Sequence, residues 1–182
     1  NAGCAHATPG RVDQSYIERM HNLIDGMHDG SRRGVKLILF AFDASVSARG
    51  EVDWERTGFF VPNRYAAEVA RKYPEYFEWA ASVHTYRVDA PEQLQWCAAN
   101  GARAVKWLPA AMGIDPAAPK CDRFYETLAR LGLPLITHAG LERAVEGGDA
   151  QELGNPLRLR RPLEQGVRVV VAHCASMGQD RD

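Results

Sequence analysis

Two short apolar runs that each end in a histidine constrain the fold of this chain more than any other feature. The first run occupies residues 133–140 and reads Leu-Pro-Leu-Ile-Thr-His-Ala-Gly, and the second occupies residues 167–173 and reads Val-Arg-Val-Val-Val-Ala-His. Each run follows a glycine and is rich in β-branched residues, which is typical of a fully buried strand in a parallel sheet. We therefore predict that His138 and His173 lie at the carboxyl ends of two strands.

The rest of the chain alternates strand and helix patterns around these two runs. Strands are predicted to begin near residues 35, 76, 102, 133 and 167, and each interval between them holds one helix. This regular alternation predicts parallel strands joined by right-handed crossovers. The predicted strands cover residues 35–42, 76–83, 102–108, 133–138 and 167–173. The predicted helices cover residues 14–27, 89–100 and 122–131, and two more start at residues 62 and 155. The predicted loops cover residues 1–12, 44–60, 109–119 and 139–155.

Two of these helices carry more detailed local signals. In the helix over 89–100, Asp89 lies three residues before Glu92 with Pro91 between them, an arrangement that predicts a capping box. In the helix that starts at residue 62, the apolar residues recur at helical spacing and predict the buried stripe. The members of that stripe are Tyr65, Ala66, Val69, Ala70 and Tyr73.

Polar residues follow every predicted strand, and this feature separates two possible parallel folds. In a (β/α)₈ barrel all strand ends converge on one mouth, whereas an open doubly wound sheet binds its ligand at a single switch point. The chain also contains neither GxGxxG after the first strand nor GxxxxGK[ST], which nucleotide-binding versions of the open sheet use. We therefore predict the α/β class and an incomplete parallel barrel of TIM type, with about five of eight β/α units in one partial domain over residues 1–182. The strand-end residues are Asp43, His84, Lys106, His138 and His173.

Composition narrows the range of partners. The net charge is −1, so no overall field attracts nucleic acid or an anionic membrane. No apolar run approaches the roughly 18–20 residues that a membrane span needs. The four cysteines form no CxxC pair, which favours free thiols in a reducing, cytoplasmic compartment. We expect a small-molecule substrate, and a homo-oligomer is compatible with the sequence. Because the chain starts at Asn1 rather than Met, the sequence does not decide whether a leader peptide precedes it.

The two strand-end histidines are candidate metal ligands. Imidazole binds Zn²⁺ well and also suits Mn, Fe or Ni, and two histidines on neighbouring strands can share one ion. A catalytic metal usually has three or four protein ligands, so His138 and His173 form an incomplete set. The alternative for each is a structural histidine that is hydrogen-bonded to the backbone.

Four further residues are candidates for catalysis or substrate binding. Lys106 lies inside an apolar strand, where an unpaired lysine is energetically costly. It is a candidate to anchor a substrate carboxylate or, after modification, to bridge two metals. The structural alternative is a salt bridge, for instance with Asp43. His84 and Asp43 are candidate substrate-binding residues at the mouth, and common polar strand ends are the alternative. Glu142, four residues after His138, could reach the same site from its loop, although a solvated loop glutamate is the simpler interpretation. Cys174 is not predicted to be a nucleophile, because strand alternation turns it away from the mouth.

Three segments together resemble the metal-dependent amidohydrolase superfamily. They are residues 101–109 (Gly-Ala-Arg-Ala-Val-Lys-Trp-Leu-Pro), residues 124–140, which end in Leu-Ile-Thr-His-Ala-Gly, and residues 166–174 (Gly-Val-Arg-Val-Val-Val-Ala-His-Cys). The similarity is greatest to the amidohydrolase-related branch that includes decarboxylases and lactone or ester hydrolases, and it runs from about residue 35 to residue 174.

The resemblance implies roles for three residues. His138 matches the metal ligand of strand 5, and His173 matches the strand-6 histidine, which in relatives binds a second metal or polarises the substrate. Lys106 falls at the strand-4 position, where binuclear members carry a carboxylated bridging lysine and many single-metal members carry a lysine that binds no metal. The superfamily's His-x-His pair of strand 1 is absent, since His6 has no partner two positions away, and so is the strand-8 aspartate. We therefore expect the chain to cover about strands 2 to 6 and to be inactive as an isolated fragment.

The function expected for the intact protein is metal-dependent hydrolysis. A metal-activated water would attack a carbonyl-type carbon of an amide, lactone or ester. His138 and His173 would be the metal ligands, and His173 and Lys106 the catalytic residues. One alternative is a metal-dependent, non-oxidative decarboxylase of a small carboxylic acid. Another is a non-catalytic barrel that binds a small carboxylate or a partner.

Overall fold

The computed structural model describes residues 10–27, 34–142 and 150–175. Residues 1–9 of the predicted loop over 1–12, which include His6, lie outside the described residues, and so does the middle of the predicted loop over 139–155. In chain order the helices and strands are α1 (Val12–Asp25), β1 (Leu37–Phe40), α2 (Asn63–Lys72), β2 (Phe77–Ala80), α3 (Ala90–Ala99), β3 (Val105–Trp107), α4 (Pro109–Met112), α5 (Asp122–Leu131), β4 (Leu135–Thr137), α6 (Arg160–Glu164) and β5 (Val169–Val171). Short 3₁₀ turns occupy Pro119–Cys121, Ala150–Gly154 and Pro156–Leu159, and a turn with left-handed residues follows β5 over Ala172–Ala175.

The five strands are parallel and follow one another in space in their order along the chain. β1 pairs with β2, and β3, β4 and β5 pair in that order. A parallel bridge between Ala81 and Val105 joins β2 to β3, and the Lys106 amide donates to the Ala81 carbonyl at 2.7 Å. This order contains no switch point, unlike a doubly wound sheet. The predicted α/β class with parallel strands is therefore confirmed. The described residues form an open sheet rather than a closed barrel, as an incomplete barrel would.

The hydrophobic core lies between one face of the sheet and the helices. Val105 and Trp107 point to this face and are fully buried, with Trp107 packed against Phe124 of α5 at a centroid distance of 5.0 Å. Alternation along the strands directs the intervening side chains to the opposite face. There, Ile38 is 47% exposed and Val170 is 49% exposed. The described helices therefore cover one face of the sheet, and the other face remains more open.

The strands are shorter than predicted because their ends leave the ladder. The predicted strand over 35–42 is observed as Leu37–Phe40, and Phe42 instead exchanges two backbone hydrogen bonds of 2.9 Å with Val61. The apolar run over 35–42 continues past Phe40, the last residue of β1 that pairs with β2, so the sequence pattern does not show where the pairing stops. The predicted loop over 109–119 likewise contains α4, which begins at Pro109.

Two predictions about the helices are wrong, one about the capping box of α3 and one about the buried stripe of α2. Asp89 makes no hydrogen bond to the first backbone amides of α3, because its carboxylate pairs with the Arg87 guanidinium at 2.8 Å and accepts from Gln93 at 2.9 Å. A charged partner within reach competes successfully with the capping box. On α2, Tyr65 is 37% exposed, because it precedes the buried stripe that starts at Ala66.

Asn63 ties the start of α2 to the end of β2. Its side-chain amide donates to the Ser82 carbonyl at 2.8 Å, and its side-chain oxygen accepts from the Ser82 amide at 2.9 Å. Asn63→Ala leaves both backbone groups of buried Ser82 unpaired, and we expect it to lower the free energy of unfolding by about 2–3 kcal/mol. Urea denaturation measures the change. The control Asn22→Ala, at an exposed site in α1, should stay within about 0.5 kcal/mol, and equal midpoints for the two variants would contradict the prediction.

None of the helices in the described part of the chain has the length and apolar character needed to cross a bilayer.

Candidate active site

His138 and His173 lie side by side at the carboxyl ends of β4 and β5. The register pairs Thr137 with Val171, so the residues that follow the two strands become neighbours. His138 Nδ1 lies 3.2 Å from His173 Nε2, and the ring centroids are 4.7 Å apart. The structure therefore brings together the two histidines that the strand pattern singled out.

Glu142 joins this pair from the loop that follows β4. Its Oε2 lies 3.5 Å from His138 Nδ1, and the residue is only 6% exposed. Gln151 fixes the backbone of Glu142 from both sides: Gln151 Oε1 accepts from the Glu142 amide at 2.8 Å, and Gln151 Nε2 donates to the Glu142 carbonyl at 3.0 Å. Glu142 is therefore a buried, positioned carboxylate rather than a solvated loop residue. Sequence reasoning missed Gln151, because no local pattern links two residues nine positions apart in a loop.

Lys106 points to the open face of β3, close enough to Glu142 to feel its charge. Burial lowers the pKa of Lys106 to about 8, and the Glu142 carboxylate opposes that shift. The Lys106 ammonium donates to the Trp107 carbonyl at 2.6 Å. It forms no salt bridge with any carboxylate in the described ranges, so the salt bridge to Asp43 considered above is absent. Lys106 is thus a cation at the site that no carboxylate in the described part of the chain pairs with.

The Trp107 carbonyl connects Lys106 to β4. Besides Lys106 Nζ, it accepts from the His138 amide at 3.1 Å, which continues the strand ladder by one residue. The indole of Trp107 is buried on the core face and donates to the Val83 carbonyl at 3.2 Å. Packing of one tryptophan therefore sets the position of the two strand ends that carry Lys106 and His138.

Asp43 and His84 form a separate group. Asp43 Oδ2 accepts from the His84 amide at 2.7 Å, and Asp43 Oδ1 pairs with Arg87 at 3.1 Å. His84 Nδ1 accepts from the Tyr86 amide at 3.2 Å, so Nε2 carries the proton and donates to the Met112 carbonyl at 2.8 Å. Burial lowers the pKa of His84, which favours this neutral ring.

These bonds account for both ring nitrogens of His84 and for both carboxylate oxygens of Asp43. They match the structural alternative for each residue, and the role of either in substrate binding stays a prediction. Arg87 is the partner that neutralises Asp43. The sequence analysis did not single it out, because no local pattern at residue 87 indicates a salt bridge to residue 43.

The turn that carries His173 is strained. His173, Cys174 and Ala175 have φ values of 40°, 54° and 52°, in the left-handed region. Each such residue other than glycine costs about 1 kcal/mol or more. Backbone strain of this kind is concentrated at functional sites, and here it sets the direction of the His173 ring.

The pair of histidines can be tested for its fit to a metal ion. Two nitrogen ligands on a tetrahedral zinc lie about 3.3 Å apart, and His138 Nδ1 and His173 Nε2 are 3.2 Å apart. The other ring nitrogen of His138, Nε2, is buried with no hydrogen-bond partner. Over the described ranges, no group of three or more His, Cys, Asp or Glu side chains is arranged to hold a metal. The residues present therefore fit two positions of a metal's coordination sphere.

The geometry defines an α/β domain of parallel strands with a His–His–Glu–Lys cluster, made of His138, His173, Glu142 and Lys106, at the carboxyl ends of β3 to β5. His138 and Glu142 are buried, Lys106 is half-buried and His173 is exposed. A family model described as Amidohydrolase matches residues 32–181. The chain therefore belongs to the Amidohydrolase family, whose superfamily is one of metal-dependent hydrolases and also includes decarboxylases. No curated protein matches the chain significantly.

Proposed function

We propose that the intact protein is a metal-dependent hydrolase that cleaves an amide, lactone or ester of a small molecule. The observation that supports the proposal is the His–His–Glu–Lys cluster in a member of the Amidohydrolase family. We also propose that the five β/α units are part of a TIM-type (β/α)₈ barrel and form one domain. In such a barrel the carboxyl ends of the strands carry the catalytic residues, and the cluster lies at those ends.

His138 and His173 are the residues that would hold the metal, with zinc as the first choice and manganese, iron or nickel as the alternatives. Their facing nitrogens are spaced as two ligands of one ion are. When bound, a divalent metal lowers the pKa of water toward neutrality and polarises the carbonyl group of a substrate.

Glu142 would supply negative charge beside the metal in this proposal. His138 Nδ1, the nitrogen that faces His173, is also the one nearest Glu142, so it cannot both hold a metal and donate a proton to the carboxylate. Glu142 Oε2 is 3.5 Å from His138 Nδ1 and is held in place through Gln151. The Glu142 carboxylate also lies near enough to Lys106 to favour its protonated form.

Lys106 would bind a negatively charged or polar group of the substrate. Its pKa of about 8 leaves most of the side chain protonated at pH 7, and no carboxylate of the described residues neutralises it. A substrate carboxylate would satisfy that charge. The same observation favours a second candidate, a metal-dependent decarboxylase, because a decarboxylase must hold a carboxylate at its site.

Metal content tests the first step of the proposal. The protein, purified without chelators, is expected to contain about one equivalent of a divalent metal by mass spectrometry. His138→Ala should lose most of it, whereas the matched control Cys174→Ala, which alters the exposed neighbour of His173, should retain it. Wild-type protein without stoichiometric metal, or His138→Ala with full metal content, would overturn the proposed metal site.

Substrate panels separate the candidate functions. A series of lactones, esters and amides and a series of aromatic carboxylates are offered to the metal-loaded protein, and either product acid or released CO₂ is measured. Turnover of the first series supports the hydrolase, and CO₂ from the second supports the decarboxylase. Binding of carboxylates without turnover in either series would instead identify a non-catalytic binding protein.

A further inference from the structure

A cavity of about 350 Å³ lies between two loops and the start of a helix. Its walls come from the loop after β1, the loop after β2 and the start of α5, and it shares no lining residue with the His–His–Glu–Lys cluster. Four cations line it, and none of its described lining residues is a carboxylate. These cations are Arg49, Arg87, Lys120 and Arg123.

Three of the four cations have no carboxylate partner among the described residues. Arg87 is neutralised by Asp43 and Asp89, which hold its guanidinium from two sides. In contrast, Arg49, Lys120 and Arg123 form no salt bridge within the described parts of the chain. The whole chain has a net charge of only −1, so the excess of positive charge is local. A concave wall with charge of one sign concentrates ions of the opposite sign.

The shape of the cavity is set before any ligand binds. The Gly50 carbonyl accepts from the Val88 amide at 3.1 Å and joins the two loops. Gly50 has a φ of +81°, and a Cβ there would lie 2.8 Å from the Tyr86 carbonyl oxygen, so only glycine allows this approach. On the other side, Lys120 Nζ lies 3.3 Å from the centroid of the Tyr86 ring, which holds the ammonium group at the cavity.

The remaining lining residues indicate a ligand with both a polar and an apolar part. Ser47 Oγ accepts from the amides of Arg49 and Glu51 at 3.3 Å each, so its hydroxyl proton is oriented away from them. Val88, Pro91 and Phe124 supply apolar surface. The volume is at the lower end of the range for small-molecule sites, about 300–1,000 Å³.

We propose that this cavity binds a small organic phosphate. Arginine forms bidentate hydrogen bonds with phosphoryl oxygens, and lysine adds a point charge. Arg49 of the loop after β1 and Arg123 of α5 bind the phosphoryl group together with Lys120, and Val88, Pro91 and Phe124 contact the organic part. The charge of the phosphoryl group replaces the carboxylate partners that these three cations lack.

Calorimetric titration with phenyl phosphate tests the proposal at fixed ionic strength. The wild-type protein is expected to bind with a Kd below about 1 mM, and Arg123→Ala to bind at least about fivefold more weakly. The control Arg130→Ala removes an exposed arginine from the same helix and should stay within about twofold of wild type. Circular dichroism establishes that each variant is folded.

Two comparisons make the test decisive. Benzoate, which has the same ring but a single negative charge, should bind at least about tenfold more weakly than phenyl phosphate. Inorganic pyrophosphate should compete with phenyl phosphate for the site. The proposal is overturned if phenyl phosphate does not saturate the protein, if Arg123→Ala and Arg130→Ala bind it equally, or if benzoate binds as tightly.

Discussion

Replacing His138 by alanine is expected to lower kcat/KM for hydrolysis by about 10³-fold or more. The reason is that His138 is one of two residues proposed to hold the metal, and loss of metal assistance removes several kcal/mol of transition-state stabilisation, of which about 4 kcal/mol corresponds to 10³-fold. The fold should survive the change, because the ring leaves one buried nitrogen without a hydrogen-bond partner. Steady-state kinetics on metal-loaded protein measures the effect.

A graded series makes this prediction specific. Glu142→Gln keeps the size of the side chain but removes the charge 3.5 Å from His138 Nδ1, and we expect it to lower kcat/KM by about 10–100-fold. Cys174→Ala should leave kcat/KM within about twofold. If His138→Ala retains wild-type kcat/KM while its circular dichroism spectrum is unchanged, the assignment of His138 is wrong.

Lys106→Met is expected to have opposite effects on stability and on substrate binding. Burial lowers the pKa of Lys106 in the folded protein to about 8, below the ordinary lysine pKa of 10.5. A lysine whose folded pKa is depressed destabilises the folded state below that pKa, and the penalty disappears as the pH rises toward the unfolded pKa. A shift of this size corresponds to about 3 kcal/mol. Lys106→Met should therefore raise the free energy of unfolding at pH 7 by about 1–3 kcal/mol, because methionine fits a similar volume without charge.

The pH dependence identifies the cause of this stabilisation. Between about pH 8 and 10.5 the wild-type protein should gain stability relative to Lys106→Met, and the difference between the two should shrink. Urea denaturation at pH 7, 8, 9 and 10 measures it. Lys72→Met, at an exposed position of α2, is the control and should show no such trend. A wild-type curve parallel to that of Lys106→Met at every pH would contradict the assignment.

The same variant should bind carboxylate-bearing substrates more weakly. A hydrogen bond to a charged group contributes about 1.5–3 kcal/mol, so the KM for such substrates should rise by about 10–100-fold. The KM for uncharged lactones should change much less. If the KM values of charged and uncharged substrates change equally, Lys106 does not bind the substrate carboxylate.

The order of elements and the proximity of the two histidines could be predicted from the sequence. Periodicity identified all five strands, and strands that follow one another in the chain are also neighbours in the sheet. His138 is the first residue after β4 and His173 the second residue after β5, so the two lie close together at the carboxyl edge of the sheet. This reasoning uses only local patterns and one rule of connection, which is why it succeeded.

The partners of polar side chains could not be predicted in the same way. Asp43 pairs with Arg87 rather than with Lys106, and Asp89 pairs with Arg87 rather than capping α3. In each case several partners of suitable charge lie within reach, and small differences in loop geometry decide among them. The contact between Gln151 and Glu142 is of the same kind, since it depends on how a long loop returns to the sheet.

The sequential pairing of the strands also has a consequence for biosynthesis. Each strand finds its partner in the unit that precedes it, so every pairing can form as soon as the next unit leaves the ribosome, without waiting for a distant segment. Residues paired between neighbouring strands lie 30 to 40 positions apart in the chain, and the sheet can grow one unit at a time from β1 toward β5. His138 and His173 follow β4 and β5, so the two histidines come together only after β1 to β3 are in place.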